Sequence, residues 1–371
     1  MPNLLKKKVL EHYVIFDRSG HLKNHIIIDS PYISLMKKLF FLCLLPAFFA
    51  FRTDNSIYKR SIEEEQPSPV ALAYFEKAFS LIEKNAYFYK HLDFSAIKHQ
   101  ALEKMKTAQT YADTYDAIRF VIGQLNDRHS YFQPPSTDGQ NAFNHAQVNN
   151  HKIPFEVSVL DGGYGLLRLK SYNSINPDNA HRIADSLYSC LAEFDRNKVK
   201  GIILDMRVME GGTYVPFLTG LTPLINAEQL IGFIDRKGKR SRTIYYKGGI
   251  YARDGRKQSR MGYLSKWNPL EVAGRPLAVL TGQYTASAGE MIVISFLGLK
   301  NVKLFGHSTF GVPTAKLNVA LTDSAMISLT CGVSYDRQKV KYSGPIQPDV
   351  ICPEEEAETF AKRWIDTVST F

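Results

Sequence analysis

Cysteine is scarce. The 371-residue chain holds four, at positions 43, 190, 331 and 352, with no CxxC pair and no clustered His/Cys spacing. That excludes a disulfide framework and argues against a structural zinc site, so no metal is expected. No internal repeat is visible, which removes solenoid and propeller architectures. Long apolar runs are missing too. The most apolar stretch, MKKLFFLCLLPAFFA at residues 36–50, is too short to span a bilayer comfortably. The net charge of +10 falls to +6 once the first 50 residues are set aside. We read that remainder as a mildly basic surface without a dense Lys/Arg block, giving little support for a nucleic-acid partner.

What is present is ordinary globular composition, 44% hydrophobic and 22% charged, in a chain long enough for one large domain and a small one. Residues 36–50 have a start methionine, two lysines, an apolar run and then small residues, the pattern of a secretory signal peptide with an internal start. Residues 1–35 then read as an extension from a misplaced start codon; a cytosolic extension followed by a membrane anchor is the alternative. Bulky Leu42 before Cys43 argues against a lipoprotein cleavage box. The expected location is the periplasm or the exterior of a Gram-negative bacterium, with membrane contact only during export.

Residues 51–67 form a polar linker. Ser68-Pro69 then reads as a cap and first-turn proline, with Leu72, Phe75, Phe79 and Ile82 on one helical face. Further helices follow Asp93 and Asp113, the last carrying the stripe Ile118, Val121, Ile122 and Leu125. Residues 68–132 are thus expected as a helical cap domain ending in LNDRHSYF, and 133–152 as a surface loop.

A second domain, 153–353, opens with a strand at Gly163–Leu169, a helix bearing Ile183, Leu187, Leu191 and Phe194, and a strand at Gly201–Met206. Strand, helix, strand makes a parallel crossover unit. Gly211-Gly212 follows, where backbone can approach a ligand closely. Gly232–Arg236 and Arg242–Tyr246 read as a hairpin, and Ala252–Asn268 as a polar excursion. Pro276–Leu280 reads as a buried strand and Ser287–Leu299 as a helix, with Ser287 at the bend and Glu290 three residues on as a capping box. A serine at a helix start is well placed to act as a nucleophile, because free amides there favour an anion. Strands are expected at Val302–Gly306, Leu317–Leu321 and Met326–Thr330, and a short polar helix at 354–371.

The Gly-Gly turn, TASAGE and the closing GPIQPDV occur in the order of the C-terminal processing (tail-specific) serine peptidase family, which the chain resembles over roughly residues 68–353. The resemblance implies an α/β spiral core of the clp/crotonase type, a hydrolase acting on peptides or protein C-terminal segments, and no cofactor. It implies Ser287 as nucleophile, with Gly211, Gly212 and the Ala288 amide as oxyanion hole. The lysine base of the processing branch is missing, since TFGVP puts Val312 at its position. The tricorn-like branch instead draws a histidine from a Leu-x-Asp-x-His-Ser motif; LNDRHS matches it and makes His129 the base. His307 in the HSTFG turn is the rival. No PDZ module fits between His129 and the core. No carboxylate stands where that branch would orient its base, Asp127 being too close in sequence to assign, so the third member stays open. Two other classes remain: a catalytically impaired protein that binds peptide termini, and a crotonase-type acyl-CoA enzyme on the same superfold. An unperturbed imidazole base would make activity rise through about pH 6–7.

Overall fold

The computed structural model describes residues 66–135, 153–173, 176–225 and 227–369. The signal-like segment, the extension before it and nearly all of the loop 136–152 lie outside the described residues.

Helix α1, Pro69–Asn85, starts where Ser68 Oγ accepts the Ala71 amide at 3.1 Å with proline in the first turn. Helix α2, Phe94–Lys104, is capped by the Asp93 carboxylate. Helix α3, Tyr115–Gly123, starts slightly later than Asp113 suggests. The Asp113 carboxylate takes the Gln109 and Thr110 amides ahead of a short 3₁₀ turn at Ala112–Thr114. The apolar faces of the three helices meet Leu321, Ile327 and Leu329 in one core, so the helical layer rests on the strands behind it.

Those strands form two sheets. One comprises β2 (Phe155–Leu160), β3 (Tyr164–Leu169), β4 (Gly201–Asp205), β9 (Leu277–Thr281), β10 (Val302–Gly306) and β14 (Val350–Ile351), ordered β14-β10-β9-β4-β3-β2. All its pairings are parallel except β2 with β3. Its crossover is α4, Pro177–Arg196, which buries Ile183, Leu187, Leu191 and Phe194. The other sheet comprises β1 (Tyr131–Gln133), β5 (Gln229–Asp235), β6 (Arg240–Tyr246), β7 (Gly249–Asp254), β8 (Lys257–Tyr263), β11 (Thr314–Ala320), β12 (Met326–Tyr335) and β13 (Lys341–Tyr342). Its order is β1-β12-β5-β6-β7-β8, with β11 and β13 also on β12. This is a mixed α/β core of two sheets with helices at its N-terminal side, the class the resemblance implied.

Three elements differ from the sequence reading. The polar excursion at 252–268 is mostly strand, the end of β7 and all of β8. Its alternation is hidden because one side packs Ile250 and Met261 inward while the other is almost wholly arginine and polar. The helix after Ser287, α5, Ala288–Ile294, stops short of Leu299. Ser295, Phe296 and Leu297 donate three residues back, and Gly298 turns the chain at φ +79°. The closing helix α6, Ala357–Ser369, buries Ala357, Ala361 and Ile365 against Ile203, Ala278 and Leu280, so it is amphipathic and covers the parallel sheet.

Helices and strands are also joined by one carboxylate. Asp323, between β11 and β12, accepts the hydroxyls of Tyr74 on α1 and Tyr115 on α3. Burial first, then the Asp323 carboxylate, push both phenols above their usual range. Asp323→Ala strips the acceptor from Tyr74, a buried side chain. The expected cost is about 2 kcal/mol. Thermal unfolding should show Tm lowered by several degrees with far-UV circular dichroism unchanged below the transition; an unchanged Tm would remove Asp323 from the joint.

Candidate active site

After β9 the chain turns through residues 282–286. The turn is held by Thr285, whose hydroxyl donates to Met206 O at 2.9 Å and accepts the Gly282 amide at 3.1 Å. It delivers Ser287 half-buried at φ +51° and ψ −111°. A non-glycine residue there costs on the order of 1–3 kcal/mol and persists only where its surroundings hold it. Glu290 does so. Its carboxylate accepts the Ser287 amide at 3.0 Å, the return half of the capping box.

Glu290 reaches further than a cap requires. Fully buried, it also accepts the Thr309 hydroxyl and the Gly311 and Val312 amides, the last two at 2.8 Å each. Burial pushes its carboxyl above the usual range, against the pull of those four hydrogen bonds. The Ser287 turn and the TFGVP turn are thus tied to one group. Val312, at the position of the missing lysine, is buried and contributes its amide.

The glycine turn packs against the serine. A Cβ on Gly211 would lie 3.1 Å from Ser287 Cβ and 3.7 Å from Ser287 Oγ. On Gly212 it would lie 2.0 Å from Tyr172 O, and both glycines have left-handed φ, +142° and +108°. Only glycine fits at Gly212. The Gly211, Gly212 and Ala288 amides have no acceptor among the described residues. Met209, where the family usually has asparagine, joins the two turns through its carbonyl, which accepts the Ala286 amide at 3.0 Å. Its side-chain identity is therefore irrelevant to that link.

His129 meets the start of β11, the strand that follows the TFGVP turn. Its Nδ1 is 2.6 Å from the Thr314 hydroxyl, which leaves Nε2 for a proton. Neighbouring Arg128 stacks over Phe310 at 4.2 Å, and the Phe310 amide donates to Thr285 O, so the histidine loop reaches the turn that touches the serine turn. Asp127 does not touch the ring. Its carboxylate takes the His129 amide at 2.9 Å and the Ser130 amide and hydroxyl, shaping the loop instead.

Two residues missed in the sequence belong here. Thr314 is the hydroxyl that meets the His129 ring. Lys316, on the same strand, sits over the Tyr131 ring at 4.2 Å and is lowered by burial to about 8, with Asp127 pulling the other way. His129 is lowered to about 4, chiefly by burial, then by Lys316, and is raised in part by Asp127. Neither residue carried a motif; both became visible once β11 was paired with β12. His307 is exposed and lines a different cleft with Gln283, Ile351, Cys352, Glu354 and Glu355.

Beside the two turns opens a cleft of about 760 Å³ bounded by Lys170, Val208, Glu210 and Tyr284. Its floor is the buried Asp205, at the end of β4. Burial would raise that carboxyl, but Arg207 and Arg168 outweigh it and hold it below its usual range.

Residues 163–352, about half of the chain, match peptidase family S41. The chain belongs to peptidase family S41. This S41 peptidase is similar to the nisin-resistance protein of Lactococcus lactis subsp. lactis, 25% identical over 309 residues covering 83% of this chain and 90% of the relative. It is also similar to the carboxy-terminal processing protease CtpA of Bacillus subtilis (strain 168), 26% identical over 186 residues covering 49% of this chain and 34% of that one. Among solved structures, a lipoprotein from Streptococcus agalactiae has TM-score 0.65 at 23% identity, covering 81% of this chain and 97% of that one. The photosystem II D1 C-terminal processing protease has TM-score 0.54 at 17% identity, covering 77% and 93%. These likenesses establish the fold. The matched span of the S41 peptidase includes Ser287 and both glycines but stops short of His129.

In this S41 peptidase, Glu290→Gln would turn an amide NH₂ group against backbone N–H donors. The expected cost is about 2–3 kcal/mol, with at least about a tenfold loss of peptide turnover as Ser287 loses its hold. Calorimetry and a peptide assay check both; full stability and turnover in the variant would show that Glu290 does not hold the turn.

Proposed function

We propose that this S41 peptidase is an exported serine-type endopeptidase of the tricorn-like, PDZ-less kind, with Ser287 as nucleophile and His129 as general base. The observation that carries the reading is Ser287 itself, a strained, half-buried serine packed against Gly211, beside amides that have no acceptor of their own among the described residues. As Ser287 Oγ bonds to the substrate carbonyl carbon, its proton passes to His129 Nε2. The Gly212 and Ala288 amides receive the oxyanion, with Gly211 shaping the hole. The imidazolium then protonates the leaving amine, and water repeats the sequence to free the acid. Thr314 supports this because its hydroxyl oxygen accepts a hydrogen bond from Nδ1–H in the neutral tautomer.

A base at about 4 is fully deprotonated at neutral pH but weak. The oxyanion forming beside it raises its proton affinity when the proton must move. The substrate class is a peptide or protein segment. Processing of protein C-termini has less behind it than peptidase chemistry. CtpA is matched over 34% of its length, whereas the relative matched over 90% of its length is named for resistance to nisin.

Ser287→Ala and His129→Ala should each abolish turnover to a similar depth, the double variant should lose little more, and His307→Ala should retain most activity. Retention in His129→Ala with loss in His307→Ala would move the base to His307. A covalent serine-directed probe should label the native chain and not Ser287→Ala; no labelling of the native chain favours a protein that only binds peptide termini. Mass spectrometry after expression from Met36 should find a mature terminus near Phe51, and an uncleaved chain would exclude export by this segment.

The pH dependence follows from His129. Turnover should be flat through pH 6–7, where an ordinary imidazole would still be titrating, and should fall only as pH approaches about 4. Lys316→Met removes a neighbouring positive charge and should move that acid limb to higher pH. Stability has the same origin. Between about 6.5 and about 4 the unfolded chain takes up a proton at His129 that the folded chain refuses, so stability falls as pH drops through that window. His129→Gln should flatten that slope in denaturant titrations.

A further inference from the structure

Between Arg236 and Arg260 the chain carries ten Lys/Arg residues and one acid, Asp254. This corrects the view that no dense basic block follows residue 50. The segment is the ribbon β6-β7-β8, which ends the larger sheet. Register decides where the charge points. Arg242 lies directly opposite Arg253, Arg253 opposite Gln258, and Tyr251 opposite Arg260, and opposite residues share a face. Arg240, two before Arg242, joins them. The reverse face packs Tyr245, Ile250 and Met261 into the core.

Arg240, Arg242 and Arg253 therefore stand together facing away from that core, whereas Arg260, just past a bulge in β8, lies over Tyr263, whose ring stacks on His181 of α4. Like charges directly opposite each other are destabilising, so the Arg242–Arg253 pair works against the fold. Compensation within the chain is slight. Glu228 reaches Arg253 at 3.4 Å, and Asp254 pairs with Lys239. Arg240 and Arg260 lie over the rings of Tyr335 and Tyr263, and among the described residues Arg240, Arg242 and Arg260 have no ion-pair partner. At the far end Tyr246 is 55% exposed beneath Lys247, while the Tyr263 ring is taken up by His181 at 4.4 Å.

We propose that this arginine face docks on a bilayer rich in anionic phospholipid. Guanidinium groups meet headgroup phosphates two bonds at a time, and exposed tyrosine rings settle at headgroup level. A three-stranded outward face suits a planar partner. The export proposed for residues 36–50 would take the chain through a bilayer before that segment is removed. The proposal is independent of the catalytic assignment.

The test is co-sedimentation of the full chain with vesicles of phosphatidylcholine alone or mixed with phosphatidylglycerol. Binding to the mixed vesicles should be at least about tenfold tighter and should fade with added salt. Arg242→Glu should erase that preference while raising Tm, because it turns a like-charge pair into an opposite-charge one; a merely misfolded variant would lower Tm. Arg240→Glu should weaken binding without touching peptide turnover. Equal binding to both vesicles, an unaltered preference in Arg242→Glu, or tighter binding to an oligonucleotide or acidic polypeptide than to anionic vesicles would overturn the proposal.

Discussion

The buried Glu290 carboxylate is the constraint on which the rest of the site depends. A charged group with no exposure is tolerated only where its oxygens are satisfied, and here four donors from two separate turns converge on it. Two of the ties explain the local geometry. The Ser287 amide keeps a non-glycine residue at positive φ, and the Val312 and Gly311 amides set the turn that leads into β11. From that turn Thr314 meets His129. Ser287 and His129 are thus referred to one buried carboxyl group rather than to each other.

The same logic recurs at the strand ends. Asp205, buried at the end of β4, holds Arg168 and Arg207, and Arg207 passes the contact on to the carbonyl of Glu354 near the closing helix. Asp323 joins the helical layer to the β11–β12 turn through two tyrosines. Carboxylates placed where chain segments cross give position, whereas the apolar clusters give most of the stability. A hydrophobic contact tolerates sliding; a multiply bonded carboxylate does not.

Electrostatics around His129 separate this site from one built on an ordinary imidazole. Burial and the nearby Lys316 both disfavour the cation, and Asp127, which favours it, spends its oxygens on the backbone of its own loop. The ring is kept neutral and oriented by an uncharged hydroxyl. With Asp127 turned to its own loop, Thr314 can orient the ring without charging it.

Much of this was legible in the residues themselves. Caps at Ser68 and Asp93, the apolar stripes of the helices, the crossover around GIILDM and the serine in TASAGE all rest on short-range rules, in which the signal lies within one or two turns of chain. The α/β class and the family followed from the order of such signals. Other features were not local. Thr314 and Lys316 sit on an undistinguished strand, and their nearness to His129 comes from pairing across 185 residues in the case of Thr314. The polar run at 252–268 became strand because its neighbours supplied the ladder and its inward face found a core. The helix after Ser287 ends early because Ser295, Phe296 and Leu297 bond three residues back and Gly298 turns the chain, while the apolar spacing runs on past that point. Local chain chemistry determined which elements form and which serine stands at a bend. Only the tertiary structure decided what surrounds that serine and its histidine, because burial, register and the sharing of one carboxylate between two turns are properties of chain segments brought together from afar.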